Sequence, residues 1–367
     1  MRPPALFQTV PEDFVVDEVD AYPAVGAGPH TFIRVRKRDL TTEQAVTMLA
    51  DALGRDRREA GFAGQKDRVA IATQRISFPD VDPDAALALA GRWPELEVLE
   101  ATRHDNKLKP GHLRANRFVV TLRGIAPDAL GSIEAGLTRI FTEGMPNAFG
   151  PQRFGRDGDN ADRALAFVRG QTRPPGDPRL RRLLFSALQA RWFNAVLARR
   201  IDDGTWNQPL AGDLLKKHQS GGMFRCEDVE TDRARARAGE LSPTGPMFGA
   251  KMAEPGEPVR SFELAVLEQD DIEPSQLRAH KSLGEGARRP LRVWIEDGAF
   301  RRVEPAIAIA APGVCLEVTL TLPKGVYAST ALGEVVSLSR PRSDGRATSP
   351  DSAAEPADSS PDEGAEG

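Results

Sequence analysis

The chain has 367 residues, 40% of them apolar and 28% charged, which excludes a fibrous or wholly disordered protein and leaves enough chain for two cores. Its net charge of −4 is misleading, because residues 341–367 carry two arginines against seven acids and residues 1–340 sum to +1. No apolar run approaches the roughly 20 residues that span a bilayer, the start "MRPPALFQTV" has no signal-peptide core, and Cys226 and Cys315 form no CxxC pair, so a cytoplasmic protein with reduced thiols and no zinc or disulfide framework is expected.

In chain order, "TVPEDFVVDEVDAY" and "HTFIRVRKRDL" read as strands, the second with Ile33 and Val35 alternating against Arg34 and Arg36. "TTEQAVTMLADALG" reads as a helix, with Thr at the cap, Val46, Leu49 and Leu53 on one face and Gly54 at the stop. A loop and a strand follow in "GFAGQKDRVAIATQRISF", residues 61–78, where Val69 and Ile71 alternate with shorter or polar neighbours. Residues 101–124 hold six Lys or Arg, two His and one acid, and read either as a phosphate-facing surface or as a solvated face. Their end, "NRFVVTLRG", is a further strand, and "PDALGSIEAGLTRIF" a helix with Leu130, Ile133, Leu137 and Phe141 together behind a helix-starting proline.

Between about 170 and 305 the texture changes to a long amphipathic helix, "LLFSALQARWFNAVLARRI", and loops rich in Gly and Pro. "GVCLEVTLTLPKG" then gives the cleanest period-two signal, with Val314, Leu316, Val318, Leu320 and Leu322 on one face. A sheet strand this late implies a return to the first domain, so residues 1–170 and 305–340 are expected to form one domain around an insertion at 171–304. Residues 341–367, rich in Pro, Ser, Ala and Asp without a large apolar side chain, read as a disordered acidic tail.

The motifs GxGxxG and GxxxxGK[ST] are absent, the five histidines stand at no metal-ligand spacing, and there is no GxSxG elbow. What remains is polar or aromatic: "PEDFVV" (11–16), "AGQKDR" (63–68), "MPNAFGPQRFG" (145–155) and "LPKGVYAST" (322–330). Asp67, between Lys66 and Arg68, reads as a solvated loop charge, a structural ion pair, or a catalytic group aimed at a polyanion. Aromatic faces, an amide for a base edge and cations for the backbone are what an extruded RNA base requires. Taken singly, Phe14 and Phe149 read as core residues, Asn147 as a turn former and Tyr327 as a half-buried strand end.

Together, "GQKDRVAIATQ", "PNAFGPQRFGRDGDN", "LSPTGPMFG" and "LPKGVYAS" resemble, in this order, the motifs of the TruD family of pseudouridine synthases, over about residues 11–336. The resemblance implies an α/β (α+β) catalytic domain with a mixed, mainly antiparallel sheet, interrupted by a TRUD insertion domain, with RNA in the cleft between them. It implies a monomeric isomerase that converts uridine 13 of tRNA to pseudouridine, with Asp67 as the catalytic aspartate. Phe14, Asn147 and Tyr327 are implied contacts to the target uridine, and Lys66 and Arg153 partners of RNA or of Asp67. The reaction breaks the N1–C1′ bond and joins C5 to C1′ without redox change, so no cofactor and no metal are expected. Lys66 and Arg68 are expected to favour the ionised form of Asp67. In one departure from the family pattern, Gly333 precedes Glu334 where an arginine is usual, which removes a cation near the site. Two other readings are an RNA-binding protein or chaperone on the same fold with impaired catalysis, and a hydrolase with a second acid from Glu12, Asp13 or Glu334.

Overall fold

A computed structural model describes residues 2–304, 307, 309 and 311–340; the expected acidic tail, residues 341–367, lies outside them. The described residues form two compact units, one of residues 2–145 and 294–340, the other Pro146–Val293. Among the described residues no helix is long and apolar enough to cross a membrane.

The first unit begins with β1 (Pro4–Leu6), β2 (Phe14–Asp20), β3 (His30–Arg38), α1 (Thr42–Leu53), β4 (Gly61–Phe62), β5 (Ile71–Pro79), α2 (Pro83–Leu87), β6 (Leu96–His104), β7 (Leu113–Ile125) and α3 (Leu130–Glu143). It is completed by strands Glu296–Val303, Val314–Pro323 and Ser337–Ser339 and by the short helix Ala328–Gly333. The main sheet runs Glu296–Val303, Val314–Pro323, β7, β2, β5, β3, β6. Every neighbouring pair in that order is antiparallel except β2 with β5, and Ser337–Ser339 adds a second parallel pair with β1. The expected mixed, mainly antiparallel α/β architecture is therefore present, and the late alternating strand lies directly against β7, with Val318 opposite Val120.

Local chemistry sets the elements. The Thr41 hydroxyl accepts from the Gln44 amide while the Gln44 side chain accepts from the Thr41 amide, and Gly54 closes α1 at φ +60°. The apolar face this fixes, Ala45, Val46, Leu49 and Ala50, packs on Ile33 and Val35 of β3, Ile76 and Phe78 of β5, and Leu96 and Val98 of β6. Such burial stabilises by roughly 25 cal/mol per Å² of apolar surface.

The second unit is built on the helix Pro178–Asp202, whose Leu184, Phe185, Leu188, Trp192 and Val196 share a core with Ala164, Leu165, Phe167 and Val168 of the helix Asn160–Val168. A four-stranded antiparallel sheet runs Met223–Arg225, Leu214–Lys217, Leu241–Met247, Ala287–Pro290. The motif "LSPTGPMFG" begins with the strand Leu241–Met247, buried over almost its whole length. A Cβ on its Gly245 would lie 2.7 Å from Leu291 Cδ2 and 3.0 Å from Phe193 Cε2, which gives the glycine a packing reason. The units divide at Met145/Pro146 and Val293/Trp294, whereas the sequence texture changes near 170 and 305. At the first edge the difference arises because residues 160–168 share the core of the long helix, and a contrast of composition does not reveal such a contact.

Candidate active site

Asp67 lies in a segment without regular structure between β4 and β5, with its side chain exposed. The backbone beneath it is held by buried groups. Lys37 of β3 directs its ammonium to three carbonyls, Leu40 O at 2.5 Å, Asp67 O at 2.8 Å and Lys66 O at 3.5 Å. The Thr42 hydroxyl accepts from Lys66 N at 2.9 Å and donates to Gln74 Oε1, and Gln74 Nε2 reaches Gly64 O at 3.5 Å. Asp39 N donates to Ala70 O and Gly111 N to Ala63 O. The carbonyls of Ala63, Gly64, Lys66, Asp67 and Ala70 in this irregular loop are thus each met by a donor. Lys37 is 0% exposed. Burial pushes its ammonium down from 10.5 to about 8, opposed by the charge of Asp67, with Lys66 adding to the lowering and Asp39 opposing it.

Lys66 does not flank Asp67 as expected. Its ammonium turns inward, 2.9 Å from Glu18 Oε2 and 2.9 Å from Asn116 Oδ1, so it is committed to an internal ion pair rather than offered to RNA. Arg68 places Nε 3.5 Å from Asp39 at the surface. Lys37, buried beneath the loop, is a cation whose proton the charge of Asp67 helps to hold.

Asn116 ties this loop to the last motif. It lies opposite Glu18 on β2 and opposite Leu322 on the other side, so the turn Pro323–Lys324–Gly325–Val326 begins at the same edge of the sheet. Tyr327 follows at the N-cap of Ala328–Gly333 and is 45% exposed. Tyr22, just after β2, places its Oη 2.7 Å from Nδ1 of His112, just before β7. Burial and then the charges of Lys109, Lys324 and His104 hold the His112 imidazole below its usual range, which keeps it neutral at neutral pH.

Phe14 opens β2 beside the loop, since Val15 pairs with Ile71, four residues after Asp67. Its ring is nevertheless 3% exposed, edge-on to Phe7 at 5.3 Å and tilted to Phe118 at 5.7 Å. The aromatic wall expected at this position is a core residue in this structure. The three acids considered as partners of Asp67 are each paired elsewhere. Glu12 meets Arg38 at 2.7 Å, buried Asp13 forms a forked pair with Arg123 at 2.6–2.9 Å, and Glu334 meets Arg2 at 3.3 Å. Arg2 also donates to the Gly333 carbonyl, so a cation reaches Glu334 even though residue 333 carries none.

Asn147 and Arg153 belong to the second unit. Asn147 is nearly buried, donating Nδ2 to Pro290 O at 2.8 Å and accepting from Arg289 at 2.5 Å. The Arg289 guanidinium also stacks 4.0 Å from the Phe149 ring centroid, and that of Arg153 lies 5.1 Å from it. Arg153 therefore packs on an aromatic ring of its own motif.

Sequence reading missed Lys37, Thr42 and Gln74. A signal for Lys37 was present: it continues the two-residue phase of Ile33 and Val35, which is the buried face of β3.

The family model described as "tRNA pseudouridine synthase D (TruD)" matches residues 5–170 and 176–335. The chain is 43% identical over 331 residues to tRNA pseudouridine synthase D of Anaeromyxobacter sp. (strain Fw109-5), covering 89% of this chain and 90% of that protein. It is 37% identical over 326 residues to the enzyme of that name from Thermus thermophilus, covering 89% and 87%. Its fold matches the crystal structure of the putative tRNA pseudouridine synthase D from Methanosarcina mazei with a TM-score of 0.78 at 21% identity, over 92% of this chain and 94% of that one. The chain belongs to the tRNA pseudouridine synthase D (TruD) family.

Proposed function

We propose that this protein isomerises uridine 13 of tRNA to pseudouridine, with Asp67 as the catalytic carboxylate. The observation that carries the reading is an exposed acid set on a loop whose backbone is braced by buried donors and acceptors. A solvated surface charge needs no such brace. A flipped base and its sugar do need a fixed carboxylate, because alignment of reacting groups can supply about 7–11 kcal/mol of the barrier. Two routes are open to Asp67, attack at C1′ as a nucleophile or removal of a sugar proton as a base, and each needs its ionised form.

Around it, Tyr327 offers an exposed aromatic face for stacking, and Phe14 backs the site from the core. Asn147 is carried over as a uracil contact on the strength of its motif. The unit Pro146–Val293 is proposed as the TRUD insertion domain and tRNA as the partner of a cytoplasmic monomer. The hydrolase reading loses support because Glu12, Asp13 and Glu334 are all engaged by arginines.

The test is tritium release from tRNA labelled at C5 of uridine. Isomerisation must release that hydrogen, and replacing uridine 13 by cytidine should abolish the release at this site. Binding without release would favour the non-catalytic reading. Release that persists after the replacement would move the target elsewhere.

A further inference from the structure

The fourth side-chain position on the buried face of β3, after Thr31, Ile33 and Val35, is occupied by an ammonium rather than a methyl group. Burying an amine costs several kcal/mol unless every donor is matched. Here the three N–H groups of Lys37 meet three carbonyl oxygens, and all three belong to two turns: Leu40 after β3, and Lys66 and Asp67 in the loop that carries the acid. An isoleucine would fill the same face and leave those carbonyls without their donor. The choice of lysine is thus explained by the loop and by nothing in the apolar core.

We propose that Lys37 is a positioning residue for the reaction, whose buried ammonium fixes the backbone from which Asp67 projects. This rests on the reading of Asp67 as the catalytic carboxylate. Lys37 touches no substrate; it acts through the peptide units of residues 66 and 67. The ionisable groups facing it are Lys66 and Asp67 on the loop and Asp39 at the turn after β3. Losing its proton removes one of three donors and the charge that strengthens the others, which releases a carbonyl and loosens the loop.

Lys37→Met keeps the length and the apolar fit while removing the donors. The expected result is a single-turnover isomerisation rate lower by on the order of 10- to 100-fold, the scale set by small misplacements of reacting groups, with tRNA affinity unchanged. Amide hydrogen exchange should quicken in residues 63–70 and stay unchanged in β7. In the unaltered protein the rate should fall as pH rises through about 8, while tRNA affinity holds. That last measurement decides the matter if Lys37→Met does not fold. A folded Lys37→Met protein that isomerises at the original rate, unchanged exchange in 63–70, or a rate flat through that pH overturns the proposal. Asp67→Asn run in parallel separates the two failures: if it is inactive while Lys37→Met is fully active, only the role of Lys37 is lost, and if it is active, the role of Asp67 is lost.

Discussion

Lys66 and Glu18 form an ion pair at 2.9 Å with their side chains only 5% and 3% exposed. Glu18 also accepts from Arg75 N at 3.2 Å, so the pair pins β2, β5 and the loop of Asp67 at one point. Removing one partner strands a buried charge. Lys66→Met is predicted to destabilise the protein by about 3–5 kcal/mol, and Lys66→Met with Glu18→Gln to recover most of that loss, because Gln keeps the acceptor for Arg75 without the charge. Urea unfolding of the two variants checks this. A phosphate contact by Lys66 would make the salt slope of tRNA binding shallower by about 1 on substitution; the internal pair predicts an unchanged slope.

Tyr327 and Phe14, both expected at the uridine, should separate experimentally. Tyr327→Ala is predicted to weaken tRNA binding by about 1–3 kcal/mol, the range for loss of a stacked base, and to leave unfolding nearly unchanged. Phe14→Ala empties a site between Phe7 and Phe118 and should cost about 3–5 kcal/mol of stability. Binding isotherms beside unfolding curves for both variants give the comparison.

The titration of Lys37 has opposite consequences for stability and for activity. Its folded pKa, about 8, lies below the ordinary 10.5, so the unfolded chain holds the proton more tightly between those values. The contribution of Lys37 to stability is therefore complete above the unfolded pKa and is lost as pH falls through about 8. Relative to Lys37→Met, the unaltered protein should gain stability as pH rises from about 8 toward 10.5, over the window in which its activity declines. Unfolding free energies of both proteins across that range test the sign. A difference that shrinks with pH contradicts it.

In the second unit, Gly245→Ala places a methyl against Leu291 and Phe193, both buried, where neither side can yield. Overpacking of this kind is predicted to cost about 1–3 kcal/mol, read as a lower melting temperature.

Much of the fold was legible because it rests on local periodicity. The cap at Thr41, the stop at Gly54 and the alternation in Val314–Pro323 are short-range signals, and the structure places the corresponding elements there. The loop that carries Asp67 was legible ahead of its strand, but the surroundings of the acid were not. Lys66 is adjacent in sequence yet faces Glu18, and Lys37 is thirty residues away yet holds the Asp67 carbonyl. Those pairings follow from which strands are neighbours, and the parallel placement of β2 beside β5 is not written in either strand alone. The edges of the second unit were missed for a similar reason: membership of a core depends on long-range packing, which composition does not encode.

The proposed reaction requires the Asp67 carboxylate to perform the isomerisation. Asp67→Asn changes one exposed oxygen to an amide and leaves every backbone contact of the loop in place. Tritium release from C5-labelled tRNA by this variant is the direct measurement. A catalytic Asp67 predicts no release above background, with tRNA affinity and melting temperature retained; release at a rate comparable with that of the unaltered protein would contradict that role.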